Sequence, residues 1–190
     1  MAGDCPLEAR EAQLHPQQRP LINDVMPGGS VAVTRAEQGS EAQHLAAVTA
    51  SLIGRNPLRA DGAAQPNTTD WSNLRAIQTI MANDGFQFRE GFPTAGGVSI
   101  EQIQRIMTGA TRNGERLVVV PNGQAKEGDV VARAAHAAEI GRETCGKHTQ
   151  LGIMQADGSV SRFNSVQGVM QRTTGFFANP QPYITLRIQH

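Results

Sequence analysis

The stretch from His148 to Asn164 constrains this chain more than any other. Two runs, His148–Met154 and Val160–Phe163, flank Gln155-Ala156-Asp157-Gly158. Asp-Gly between runs that alternate apolar and polar residues is a strong hairpin signal, because Gly supplies the positive φ of a tight antiparallel turn. An isolated hairpin is marginal in water, so these strands need further strands or a helix layer. Upstream, the pattern is helical. Ser40 suits a helix cap, Leu45, Val48, Leu52 and Ile53 recur at helical spacing, and Gly54 suits a stop. Asp70 suits the cap of a second helix carrying Leu74, Ile77, Ile80 and Met81, closed by Asn83-Asp84-Gly85. Ser99 suits the cap of a third, with Ile100, Ile103, Ile106 and Met107 as its stripe. Helices first and antiparallel strands after them predict an α+β fold, with the helices packed on an antiparallel sheet.

Shorter elements complete the expectation. Phe86–Phe88 reads as a short strand, Arg116–Val120 as a buried one, and Tyr183–Ile188 as a further strand at a sheet edge. Asp129–Ile140 is ambiguous, and its Ala-rich part favours helix. Ser30–Thr34 is a candidate strand. Residues 1–28 form an appendage punctuated by Pro16, Pro20 and Pro27, with a short helix over Pro6–Leu14. Residues 29–190 make the folded domain, in line with the one domain that 190 residues suggest.

Charge excludes several classes of function. Lys+Arg and Asp+Glu are 17 each, for a formal net charge of zero. That argues against a nucleic-acid binder resting on a broad basic face, and against a polybasic membrane anchor. No wholly apolar run is longer than Leu117–Val120, far short of a membrane span. The first twenty residues carry acids and no apolar core, so no secretory signal is expected. Cys5 and Cys145 make no disulfide framework, and the five His are scattered, so no zinc site is expected. Phosphate-loop and dinucleotide motifs are absent, and no cofactor is implied.

The hairpin also carries the candidate chemistry. His148 opens one strand and Asn164 closes its partner, which makes them neighbours across a short turn. A general-base His needs an orienting acceptor on its second ring nitrogen, and an Asn carbonyl can serve. The plainer alternative is that both are simply strand-end residues. The nucleophile is the difficulty. A thiolate belongs at a helix N-terminus, where the dipole lowers its pKa. Cys5 precedes only a short, poorly apolar helix. Cys145 sits in the Glu143–Lys147 loop and reads as an incidental thiol. The helix that looks central, Ala42–Ile53, starts without Cys. Gln38 and Gln43 are candidate oxyanion donors, or ordinary surface amides among 17 Gln. The glycines around Phe86, Phe88 and Phe92 suit either a lid or an irregular loop. His136 reads as a surface residue, Trp71 as core, and Lys126-Glu127-Gly128-Asp129 as too short a match to any hydrolase motif to carry weight.

Three segments together resemble papain-fold toxin domains and the wider class of papain-like bacterial effectors. They are Leu21-Ile22-Asn23-Asp24-Val25-Met26-Pro27-Gly28, Leu52-Ile53-Gly54-Arg55-Asn56-Pro57, and the run from Lys147 to Gly168 around the hairpin. The resemblance is one of pattern and covers roughly residues 20–170. It implies a thiol hydrolase that deamidates a glutamine of a target-cell protein, or a cysteine protease, with His148 as the base and Asn164 as the third member. It places the nucleophile at Glu41 or Ala42, with Ala42 favoured. Ala there departs from the family pattern, and three explanations fit: a replaced Cys, an inactive homologue, or Cys5 reaching in. The resemblance also implies release without a secretory signal, action in the cytoplasm of a target cell, and a cognate immunity protein as a further partner. Two alternatives use the same scaffold: a non-catalytic module that binds a partner protein, and a peptidoglycan amidase.

Overall fold

The computed structural model describes residues 40–67, 71–92, 98–120, 125–134, 149–177 and 183–190. The expected appendage and the Ser30–Thr34 strand lie outside them. Three helices, α1 (Ser40–Ser51), α2 (Ser72–Asn83) and α3 (Ile100–Thr108), are followed by seven strands among the described residues. These are β1 (Thr111–Arg112), β2 (Glu115–Val119), β3 (Val130–Ala134), β4 (Thr149–Met154), β5 (Val160–Asn164), β6 (Val169–Thr173) and β7 (Tyr183–Gln189). They form one antiparallel sheet in the order β1-β2-β7-β3-β4-β5-β6. The fold is mixed α+β, as the order of patterns predicts. Among the described residues, no helix is long and apolar enough to cross a membrane.

The helices form for local reasons the sequence displays. Ser99 and Gln102 cap α3 reciprocally: Gln102 N–H donates to Ser99 Oγ at 3.2 Å, and Ser99 N–H donates to Gln102 Oε1 at 2.8 Å. The predicted stripe of Ile100, Ile103, Ile106 and Met107 is buried. In α2, Leu74, Ile77, Ile80 and Met81 are likewise buried, and the chain leaves the helix through Gly85 at φ +99°. Trp71 holds the N-cap position of α2 without a side-chain cap bond, and Asp70 lies outside the described residues. Helix α1 ends before Gly54, whose φ of +85° reverses the chain.

One face of the sheet packs on the helices. Leu117, Val130, Ala132, Leu151, Ile153, Phe163, Met170, Ile184 and Leu186 meet Leu45, Ile77, Ile103 and their neighbours in a single core. Each fully buried Ile or Leu contributes about 1.5–3 kcal/mol. The other face carries Ala125, Val131, Met154, Val160, Phe176, Phe177 and Tyr183. Phe177 meets Phe176 edge-on and Tyr183 at a tilt, at centroid distances of 4.9 and 4.8 Å.

Two expectations are corrected here. The segment from Asp129 that favours helix by composition is strand β3 over Val130–Ala134, and its remainder, 135–140, lies outside the described residues. Val130, Val131 and Ala132 are fully buried, Val130 and Ala132 on the helix face and Val131 on the other, so no alternation shows in the sequence. The second is Tyr183–Ile188, which is a strand but lies between β2 and β3 in the interior of the sheet. Strand β6 is not among the expected strands, and Phe86–Phe88 reduces to a single bridge between Gln87 and Thr111.

Candidate functional site

The two members of the expected triad that are described lie in different places. Ala42 lies in the first turn of α1, as does Glu41. Two residues on, His44 Nδ1 lies 2.9 Å from Asp84 Oδ1, just past the end of α2. The head of α1 therefore sits at the C-terminal end of α2. Asn164 closes β5 at the other end of α2, where Ser165 Oγ and Ser72 Oγ are 3.0 Å apart. Helix α2 has 12 residues. At 1.5 Å per residue it separates the two places by about 18 Å.

They also lie on opposite faces of the sheet. Side chains alternate along β5: Phe163 belongs to the helix-side core and Val160 to the opposite cluster. Asn164 follows Val160 and Arg162 in that alternation and points away from the helices. Its contacts agree. Asn164 Nδ2 donates to Gln171 Oε1 at 2.6 Å, and Asn164 Oδ1 accepts the Val166 and Gln167 N–H groups, each at 3.0 Å. Both lone pairs of that carbonyl and the amide are committed to the β5–β6 turn. His148, Cys5, Cys145, Gln38 and His136 lie outside the described residues. Gln43 is half-buried. Of the aromatics among the glycines, read as a lid or an irregular loop, Phe86 and Phe92 are buried in the core, and Phe88, like Trp71, packs against it.

The turn that Asn164 organises holds the long α1–α2 connection. Gln65 N–H donates to Gly168 O at 3.2 Å, and Asn67 N–H donates to Ser165 O at 2.9 Å. Gly168 has φ +71°, and a Cβ there would fall 2.0 Å from Gln65 O. Asn56 braces the same connection, accepting Leu58 N–H at 2.9 Å and donating to Gln65 O at 3.4 Å. The outcome is a rigid corner carrying Val166, 74% exposed, and Ile53, 36% exposed. Among the described residues these are the two exposed large hydrophobics.

Three polar arrangements escaped the sequence reading. Asn73, near the start of α2, reaches between β4 and β5. Arg112 ties β1 to α2, donating to Asp84 Oδ2 at 2.5 Å, to Asp84 O at 3.1 Å and to Glu115 Oε1 at 3.0 Å, with its guanidinium 4.4 Å from the Phe86 ring centroid. Asp129 forms a bidentate pair with Arg187, at 3.0 and 2.8 Å, and accepts Lys126 N–H at 2.8 Å. Burial pushes the Asp129 carboxyl up, against the opposing pull of Arg187. Lys126-Glu127-Gly128-Asp129 is thus a turn leading into β3, with Gly128 at φ +87°. These contacts join residues 28 and 58 positions apart in Arg112–Asp84 and Arg187–Asp129, separations at which no local pattern signals a pairing.

Among the described residues, no group of three or more His, Cys, Asp or Glu could hold a metal ion. No protein-family model, no curated protein and no solved structure matches this chain.

Proposed function

We propose that this chain is a non-catalytic module that holds a partner protein of a target cell, on a helix-over-sheet scaffold resembling that of the papain-like toxins. The observation that carries this reading is the separation of Asn164 from the head of α1, on opposite faces of the sheet and with the Asn164 carboxamide committed to its own turn. Ala at position 42 agrees with it, since that residue offers neither nucleophile nor proton. The corner of Ile53 and Val166 supplies the contact, an apolar side chain on a braced turn that loses little entropy on binding.

The deciding experiment restores sulfur. In the Ala42→Cys protein, the rate of alkylation by iodoacetamide is followed against pH. The module reading expects a thiol acidified by the helix N-terminus alone, with the same profile after His148→Ala. A profile that moves to higher pH after His148→Ala overturns it and reinstates the hydrolase. In a binding assay with a captured target-cell protein, Val166→Asp weakens retention and His148→Ala does not.

A further inference from the structure

We infer that Asn113 is a site of spontaneous deamidation, through attack by the Gly114 backbone nitrogen. Asn113 and Gly114 form the two-residue turn between β1 and β2, closed by the Arg112–Glu115 pair. Asn113 has φ +49° and Gly114 φ +83°, the left-handed pair of a tight hairpin. Asn113 is the non-glycine residue at positive φ among the described residues.

The other asparagines of known contact are tied down by their carboxamides. Asn56, Asn73 and Asn164 each both donate and accept. Among the described residues, no hydrogen bond holds the carboxamide of Asn113, and both turn residues are exposed. Gly114 adds no obstruction: nothing lies within 4 Å of where its Cβ would be. An unheld, exposed carboxamide followed by a glycine, whose nitrogen has no side chain beside it, leaves cyclisation sterically open, and Asn is among the thermolabile residues that hyperthermophilic proteins carry fewer of.

The chemistry balances with water alone. The Gly114 nitrogen bonds to Asn113 Cγ, the Cγ–N bond breaks, and ammonia leaves with the proton given up by the Gly114 nitrogen. Water then opens the succinimide at either carbonyl. One opening leaves Asp; the other leaves isoaspartate, with an extra methylene in the backbone. In a two-residue turn that methylene cannot keep Arg112 opposite Glu115. The consequence reaches inward, because Arg112 is buried and holds both Asp84 and Glu115.

The test incubates the folded full chain at neutral pH and physiological temperature, beside a short peptide spanning Thr111–Arg116. Peptide mapping follows conversion of the amide to its two acid forms. The expected result is progressive loss of the Asn113 amide in the folded protein, with isoaspartate the larger product. Asn113→Gly, which tolerates the same φ, shows no conversion in that turn and keeps the amide exchange protection of β1–β2 that the aged protein loses. An Asn113 amide still intact in the folded protein once the peptide has fully converted overturns the inference.

Discussion

Asn73 Oδ1 accepts the Leu151 N–H at 2.7 Å, while Asn73 Nδ2 donates to Phe163 O at 3.1 Å. Leu151 and Phe163 are the residues that the β4–β5 register would pair, continuing from Ile153–Ser161. A side-chain amide from a helix thus stands in for one rung between two strands. It lets them part at the end where α2 begins. Asn73→Ala leaves a buried N–H and a buried carbonyl without partners. The expected loss is about 2–4 kcal/mol. Chemical denaturation at constant m-value measures it, and a loss indistinguishable from that of an exposed Asn→Ala control contradicts the account.

Gly168 and Gly114 separate two costs that positive φ usually mixes. Both lie in the left-handed region, but a Cβ at 168 meets the Gln65 backbone at 2.0 Å, whereas one at 114 meets nothing. Gly114→Ala is expected to cost only the conformational penalty, about 1–2 kcal/mol. Gly168→Ala is expected to cost distinctly more and to detach residues 65–67 from the β5–β6 turn, read as faster amide exchange at Gln65 and Asn67. Equal thermal shifts for the two variants would show that the connection yields freely.

Asp157 predicts an acid-sensitive turn. Ser159 donates to it from its hydroxyl at 2.6 Å and from its N–H at 2.9 Å, and Arg172 adds a charge at 3.1 Å. The Ser159 bonds, hydroxyl first, hold the Asp157 carboxyl below its ordinary value of 3.8. A carboxylate with a lowered folded pKa stabilises the fold above its unfolded value, and that contribution fades as pH falls through the folded one. The β4–β5 turn should therefore loosen only below the ordinary carboxylate range. Asp157→Asn should abolish that dependence at the Ser159 amide resonance. The site is largely exposed, so the effect on global stability is small.

Asp129→Ala leaves Arg187 without its bidentate partner. Removing one member of a buried pair costs about 3–5 kcal/mol, and the partial exposure of Arg187 places the expected loss at the low end. Changing both residues together to apolar ones of similar size should restore most of it. A double variant no more stable than the single one would assign the loss to the Lys126–Asp129 turn instead.

Much of the architecture was legible because it is local. The Ser99 cap, the isoleucine stripe of α3 and the Asp157-Gly158 turn each announce themselves within a few residues, and each appears in place. Gly158 takes φ +86°, as the hairpin reading requires. What failed was burial on both faces: Val130–Ala132 and Tyr183–Leu186 lie inside the sheet, so their side chains carry no inside-outside rhythm. The candidate site was less legible still. Spacing brought Asn164 to the end of a strand, but a strand end has two faces. Which one it takes follows from the paired Phe163 and Met170, which face a core built from residues as distant in sequence as Leu45 and Ile77.

Residues 53–55 and 65 run along the outer side of β6, with Met170 and Gly168 as their hydrogen-bond partners, and Gln87 runs along the outer side of β1. Each border of the sheet is thereby covered, at Met170 and at Thr111, by the chain's own backbone. A second copy cannot template onto either border there without first peeling those segments away, which guards a strand-rich protein against growing into fibres.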